Sequence, residues 1–190
     1  VRSEIIFENK LLESKNFKII SLIRDPVARN LSAFFQNIDS LFPKGAYKEK
    51  SSEELIATFM EKYSHNVSIN WFENEFKKTL GIDICEFEVD KNMGFFRFER
   101  NGISCLLLKV EANDNDKENA LIDFIGCGSD FKLLKTNIGD EKSYAEQYKD
   151  FKSKIIIPEE YLDKMYGSRL IQSFYTEESI NKMRSKWIRG

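Results

Sequence analysis

The chain has 190 residues, with 29 basic and 31 acidic side chains for a formal charge of −2; 42% of its residues are hydrophobic and 32% charged. Those proportions describe a folding chain long enough to bury a core, and they exclude the disordered and low-complexity classes. An isoelectric point of about 5.7 argues against nonspecific nucleic-acid binding, which needs a net basic face.

No apolar run approaches the roughly 20 residues of a spanning helix, and Glu4, Glu8 and Glu13 break any signal-peptide-like stretch. Three cysteines without CxxC spacing (Cys85, Cys105, Cys127) and one histidine, His65, are too few soft ligands for a zinc site. The expectation is free thiols in a reducing cytoplasm, with no metal and no nucleic-acid partner.

In chain order, residues 3–14 (SEIIFENKLLES) carry a helical stripe of Ile5, Ile6, Phe7, Leu11 and Leu12. Phe17 to Ile23 reads as a parallel strand covered on both faces. It stops at Arg24-Asp25-Pro26, where Asp25 suits an N-cap and Pro26 the first helical position. The helix that follows aligns Val27, Leu31, Phe34, Phe35 and Ile38 on one face, completing half of a βαβ unit.

Pro43 and Gly45 mark a loop over 39–50. Ser51 and Glu54 form a capping box for a helix with Leu55, Ile56, Phe59, Met60 and Tyr63 inward. Ser68 is a candidate cap for a helix from Ile69 to Leu80, ended by Gly81. Ile84 to Phe87 reads as a short strand. Asn101-Gly102 predicts a hairpin between Phe95–Arg100 and Ile103–Val110, whose second arm is apolar enough to lie inside the sheet, parallel to 17–23. Helices are expected from Asp114 or Asp116 to Ile125, over 143–152, from Pro158 to Tyr166 and from Thr176 onward. The class is α/β: one domain over 1–190 with a short parallel sheet, flanking helices, a β-hairpin and a helical portion at about 143–190.

Ligands of open α/β sheets gather beyond the carboxyl ends of the strands, and Arg24 stands at such an end. Ser32 follows eight residues later, too deep in the helix to cap it, on the flank of the buried stripe. An Arg, a partly exposed Ser and a helix N-terminus suit a phosphate, although Arg24 could equally be solvated or paired with a carboxylate. His65 suits either a general base for a hydroxyl or a helix-terminal histidine. Glu73 and Glu75 lie two apart on a helix and cannot share a face. The Asn113–Asp116 run reads as a cap and turn rather than a calcium loop. Phe174, Tyr175 and Trp187 read as core, with a sugar-stacking platform as the alternative.

The pattern Ile20-x-x-x-Arg24-Asp25-Pro26 with Ser32 eight residues after the Arg resembles the 3′-phosphate-binding motif of sulfotransferases. The longer string IRDPVARNLSAFFQNI is similar to bacterial proteins of capsular polysaccharide synthesis with a sulfotransferase-like P-loop fold. So are WFENEFKKTLGIDI, LLLKVE before a helix ending in FIG, KTNIGDEKSYAEQY and FYTEESINKMRSKW, so the likeness spans most of the chain. The resemblance implies transfer of a sulfuryl group from 3′-phosphoadenosine 5′-phosphosulfate (PAPS) to a sugar hydroxyl. Arg24 and Ser32 would hold the 3′-phosphate; no catalytic residue is assigned.

One part of the family pattern is missing. No Gly-, Ser- and Thr-rich loop with a Lys occurs in residues 1–16, and no G-x-x-x-x-G-K-[ST] occurs anywhere. The chain, which opens on Val1, is therefore expected to be an N-terminally shortened version without the first strand and its phosphosulfate loop. Such a chain would leave the sheet edge and the stripe of helix 26–38 partly uncovered and prone to self-association. The reading from a different class is a non-catalytic α/β binding or assembly module.

Overall fold

The Asn101-Gly102 turn organises the sheet. Asn101 (φ 57°) and Gly102 (φ 74°) adopt the left-handed pair that a tight two-residue hairpin requires. They join β2 (Phe95–Arg100) antiparallel to β3 (Ile103–Lys109). On the other side of β3, β1 (Phe17–Ile23) runs parallel, from Phe17 opposite Ile103 to Ile23 opposite Lys109. The result is a mixed three-stranded sheet in the order β1-β3-β2, with the two predicted parallel strands as neighbours. The computed structural model describes residues 17–134 and 143–188; the expected helix at 3–14 and the KTNIGDEK segment lie outside them.

Asp25 caps α1 (Pro26–Gln36), whose Val27, Leu31, Phe34 and Phe35 are at most 1% exposed. The expectation of an uncovered stripe on this helix is therefore corrected: Phe34 and Phe35 pack on Phe151, and Phe34 also on Phe59, with ring centroids 5.1–5.8 Å apart. A second correction concerns β1. Its Phe17, Ile19 and Ile23 join the main core, but Ile20 and Leu22 on the other face stay 43% and 58% exposed. The central strand β3 alone is buried on both faces.

The capping box of Ser51 and Glu54 opens α2 (Ser52–Lys62). The next helix, α3, begins with Val67–Trp71, widens into a π-helical stretch, Phe72–Lys77, and ends with Lys78–Leu80 before a left-handed Gly81. Ser68 does not cap it; its hydroxyl donates to the His65 carbonyl (3.1 Å). The predicted strand at 84–87 is a 3₁₀ turn, Ile84–Glu86, because the Asp83 side chain accepts from the Cys85 N–H (3.0 Å) and turns the chain.

Asn113, rather than either aspartate, caps α4 (Asp114–Ile125), which lies on the outer face of the sheet. Four helices close the described chain: α5 (Ala145–Lys154), α6 (Glu159–Tyr166), α7 (Arg169–Phe174) and α8 (Glu177–Ser185). Of these, α7 has too short an apolar pattern to be predicted from periodicity. α6, α7 and α8 all contribute to the inner core.

Candidate functional site at the carboxyl ends of the parallel strands

Beyond Ile23 and Lys109 the two parallel strands part, and their next acidic residues interlock. The Asp25 N–H donates to Glu111 Oε1 (2.7 Å), and the Tyr175 hydroxyl donates to Glu111 Oε2 (3.0 Å). The Asp25 carboxylate is only 2% exposed. It accepts from the N–H groups of Val27 (3.0 Å) and Ala28 (3.2 Å), the Tyr166 hydroxyl (3.0 Å) and Trp187 Nε1 (3.4 Å). Burial raises its pKa and the four donors oppose that rise. The Tyr166 and Tyr175 phenols are pushed far above their ordinary range, chiefly by burial and then by the neighbouring carboxylates. Asp25 thus ties α1, α6 and Trp187, two residues beyond α8, to the end of β1. Trp187, predicted as core, is core with its indole N–H on this carboxylate.

Lys109, the last residue of β3, is 7% exposed. Its Nζ donates to the Lys91 carbonyl (2.7 Å) and lies 5.1 Å from the Phe96 ring centre and 4.8 Å from that of Tyr175. Desolvation lowers its pKa. A crevice of about 560 Å³ opens here, lined by Lys91, Lys109, Glu111, Tyr175, Lys182 and Lys186 among others. It lies where α/β sheets bind ligands, yet sequence reasoning missed it. The one available signal was a lysine closing an otherwise apolar interior strand.

Arg24 is half-buried directly after β1 and makes no hydrogen bond or ion pair with any described residue. Its charge is felt by the hydroxyls of Tyr148 and Tyr175. Ser32 is half-buried on α1, and its hydroxyl bonds no described residue. Ser32 shares a flank of α1 with Ala28 and Phe35, and Tyr148 packs on Phe35 at 5.1 Å. The helix N-terminus contributes less than expected: Pro26 has no N–H, and those of Val27 and Ala28 are occupied by Asp25.

His65 lies just past α2, with its ring edge-on to Phe59 (4.7 Å) and Tyr161 (5.0 Å). Its Nδ1 is 3.0 Å from the Tyr161 hydroxyl, which also accepts from Asn30 Nδ2 (3.0 Å). Burial lowers its pKa, partly offset by the Phe59 and Met60 carbonyls at the end of α2. Its Nε2 and the Asn30 Oδ1 are buried without a hydrogen-bond partner among the described residues. Its position and ring packing are those of the expected helix-terminal histidine.

Glu73 pairs with Lys77 (2.9 Å) rather than with Glu75. Asn113 and Asp116 form a cap: the Asn113 side chain accepts from the Asp116 N–H (2.8 Å). The three cysteines are free, and burial pushes the Cys105 thiol up to about 11. Among the described residues no group of three His, Cys, Asp or Glu side chains could hold a metal, and no helix is long and apolar enough to cross a membrane.

Fold and site define an α/β protein with a mixed three-stranded sheet and a polar crevice at the carboxyl end of its central strand. A family model described as "Putative capsular polysaccharide synthesis protein" matches residues 46–176, and the chain belongs to that family. The matched span includes His65, α3, Lys109, Glu111 and Tyr175, while Arg24 and Ser32 precede it. No curated protein and no solved structure matches the chain.

Proposed function

We propose that the protein is a PAPS-dependent, sulfotransferase-like member of bacterial capsular or surface polysaccharide synthesis that acts on a sugar hydroxyl. Membership of the polysaccharide-synthesis family supports the sugar acceptor. What supports the donor is the strand–helix junction of sulfotransferase-like sequence, in which Arg24 directly follows β1 and Ser32 lies on α1, neither side chain bonded to a described residue. In this reading the Arg24 guanidinium grips two oxygens of the 3′-phosphate and the Ser32 hydroxyl donates a third hydrogen bond. Asp25 is buried and acts behind the site, capping α1 and holding the backbone of Arg24 in place. Bound PAPS supplies the sulfuryl group and leaves as adenosine 3′,5′-bisphosphate.

Calorimetry of the purified protein with adenosine 3′,5′-bisphosphate and with adenosine 5′-monophosphate tests this. A charge-assisted hydrogen bond contributes about 1.5–3 kcal/mol, so Arg24→Ala is expected to weaken the bisphosphate roughly tenfold or more. The neutral hydroxyl contributes about 0.5–1.5 kcal/mol, so Ser32→Ala costs less. Neither substitution changes binding of the monophosphate. Equal binding of the two nucleotides, or an Arg24→Ala loss common to both, sinks the assignment and favours a binding module without sulfuryl transfer.

A further inference from the structure

A second cleft, of about 430 Å³, lies between the start of α3 and α6, and Tyr63, His65, Asn66, Asn70, Asn74 and Lys164 are among its lining residues. That volume falls within the roughly 300–1,000 Å³ of small-ligand sites. Asn66, Asn70 and Asn74 recur every fourth residue, all three are exposed, and none of their side-chain amides bonds a described residue. On a regular α-helix such a ladder drifts by about 40° every four residues. Here Asn74 sits inside the π-helical stretch Phe72–Lys77. The wider i→i+5 turn offsets that drift and keeps the third amide on the same cleft. π-Turns weaken a helix and recur at functional sites, so this one is a second observation beside the free amides.

The chemistry of the lining selects the ligand. A carboxamide both donates and accepts, as does a sugar hydroxyl, and three in a row match a run of hydroxyls. Val67, 41% exposed in the same cleft, adds apolar surface for a pyranose C–H face. Among the described residues, Lys164 is the one charged member of the lining, too little for a polyanion. His65, in the cleft wall, is held by Tyr161 and Asn30, so the wall is rigid.

We infer that the Asn66–Asn70–Asn74 face of α3 is a binding site for a neutral saccharide. The inference takes its ligand class from the reading above but uses none of the donor-site residues. The test is an array of neutral and acidic oligosaccharides, with hits measured by saturation-transfer NMR on the purified protein and no nucleotide present. Neutral oligosaccharides are expected to bind, and Asn70→Ala combined with Asn74→Ala to weaken them at least tenfold. Asn119→Ala, an exposed asparagine on α4, should leave them unchanged. The substituted positions are exposed, and an unaltered thermal midpoint verifies folding; should the double variant not fold, Asn66→Ala is read in its place. No neutral binding, binding that survives the substitutions, or binding of acidic oligosaccharides alone overturns the site. Because the donor is absent, these outcomes are separate from those of the bisphosphate titration.

Discussion

The two faces of the sheet are covered by different means. On the inner face, side chains of α1, α2, α3 and the four C-terminal helices form one continuous cluster in which Phe34, Phe59, Phe151, Phe174 and Leu55 have no exposed surface. On the outer face, among the described residues, α4 packs with help from Phe131 and Leu133 just beyond it, and the buried cluster is five residues: Leu106, Leu108, Ala120, Leu121 and Phe124. That small cluster shields β3 but does not reach over β1. There Lys18 takes over: its Nζ donates to the Phe124 carbonyl (2.5 Å) near the end of α4 and lies 5.4 Å from the Phe124 ring centre. A cation at a helix C-terminus is favourable, and its aliphatic stem covers apolar surface. An apolar strand is therefore not proof of double burial; the helices available to cover it decide.

Substitutions on the two faces should separate by size. Phe34→Ala removes a ring packed against Phe35, Phe59, Tyr63 and Phe151 in the interior. It is expected to cost about 3–5 kcal/mol, read as a drop in the urea midpoint at unchanged slope. Phe124→Ala, in the small outer cluster, should cost about 2–3 kcal/mol by its buried apolar area. A loss equal to that of Phe34→Ala would mean the outer face is as integral as the inner one. Leu22→Thr, on the open side of β1, should stay within about 0.5 kcal/mol. A larger loss would reveal that another segment or a second copy covers β1, and light scattering of the variant would tell which.

Much of the architecture was legible because it rests on local rules. Asp25-Pro26 stops β1 and starts α1 through capping geometry, Asn101-Gly102 turns the hairpin through its positive φ angles, and Ser51 with Glu54 opens α2. Where local rules competed, the reading erred: β propensity at 84–87 lost to the Asp83 side chain, and Ser68 found the His65 carbonyl before it could cap. The candidate site was only half legible. Arg24 and Ser32 stand out by spacing along one strand and helix, whereas Lys109, Glu111 and Tyr175 meet only because two strands run parallel.

By itself, the sequence determined the class, the starts of α1 and α2, the Asn101-Gly102 hairpin and the candidacy of Arg24 and Ser32, since each depends on neighbours a few residues away; the parallel pairing of β1 with β3 was inferred from their apolar composition. Tertiary structure alone decided that Asp25 is a buried junction of Tyr166, Trp187 and two backbone N–H groups, partners as far as 162 residues distant. It also decided that β1 lies at the edge of the described sheet, that His65 packs edge-on between Phe59 and Tyr161 and that three asparagines line one cleft. The reason is physical: burial, desolvation and the convergence of side chains depend on which elements pack together, and no local pattern carries that.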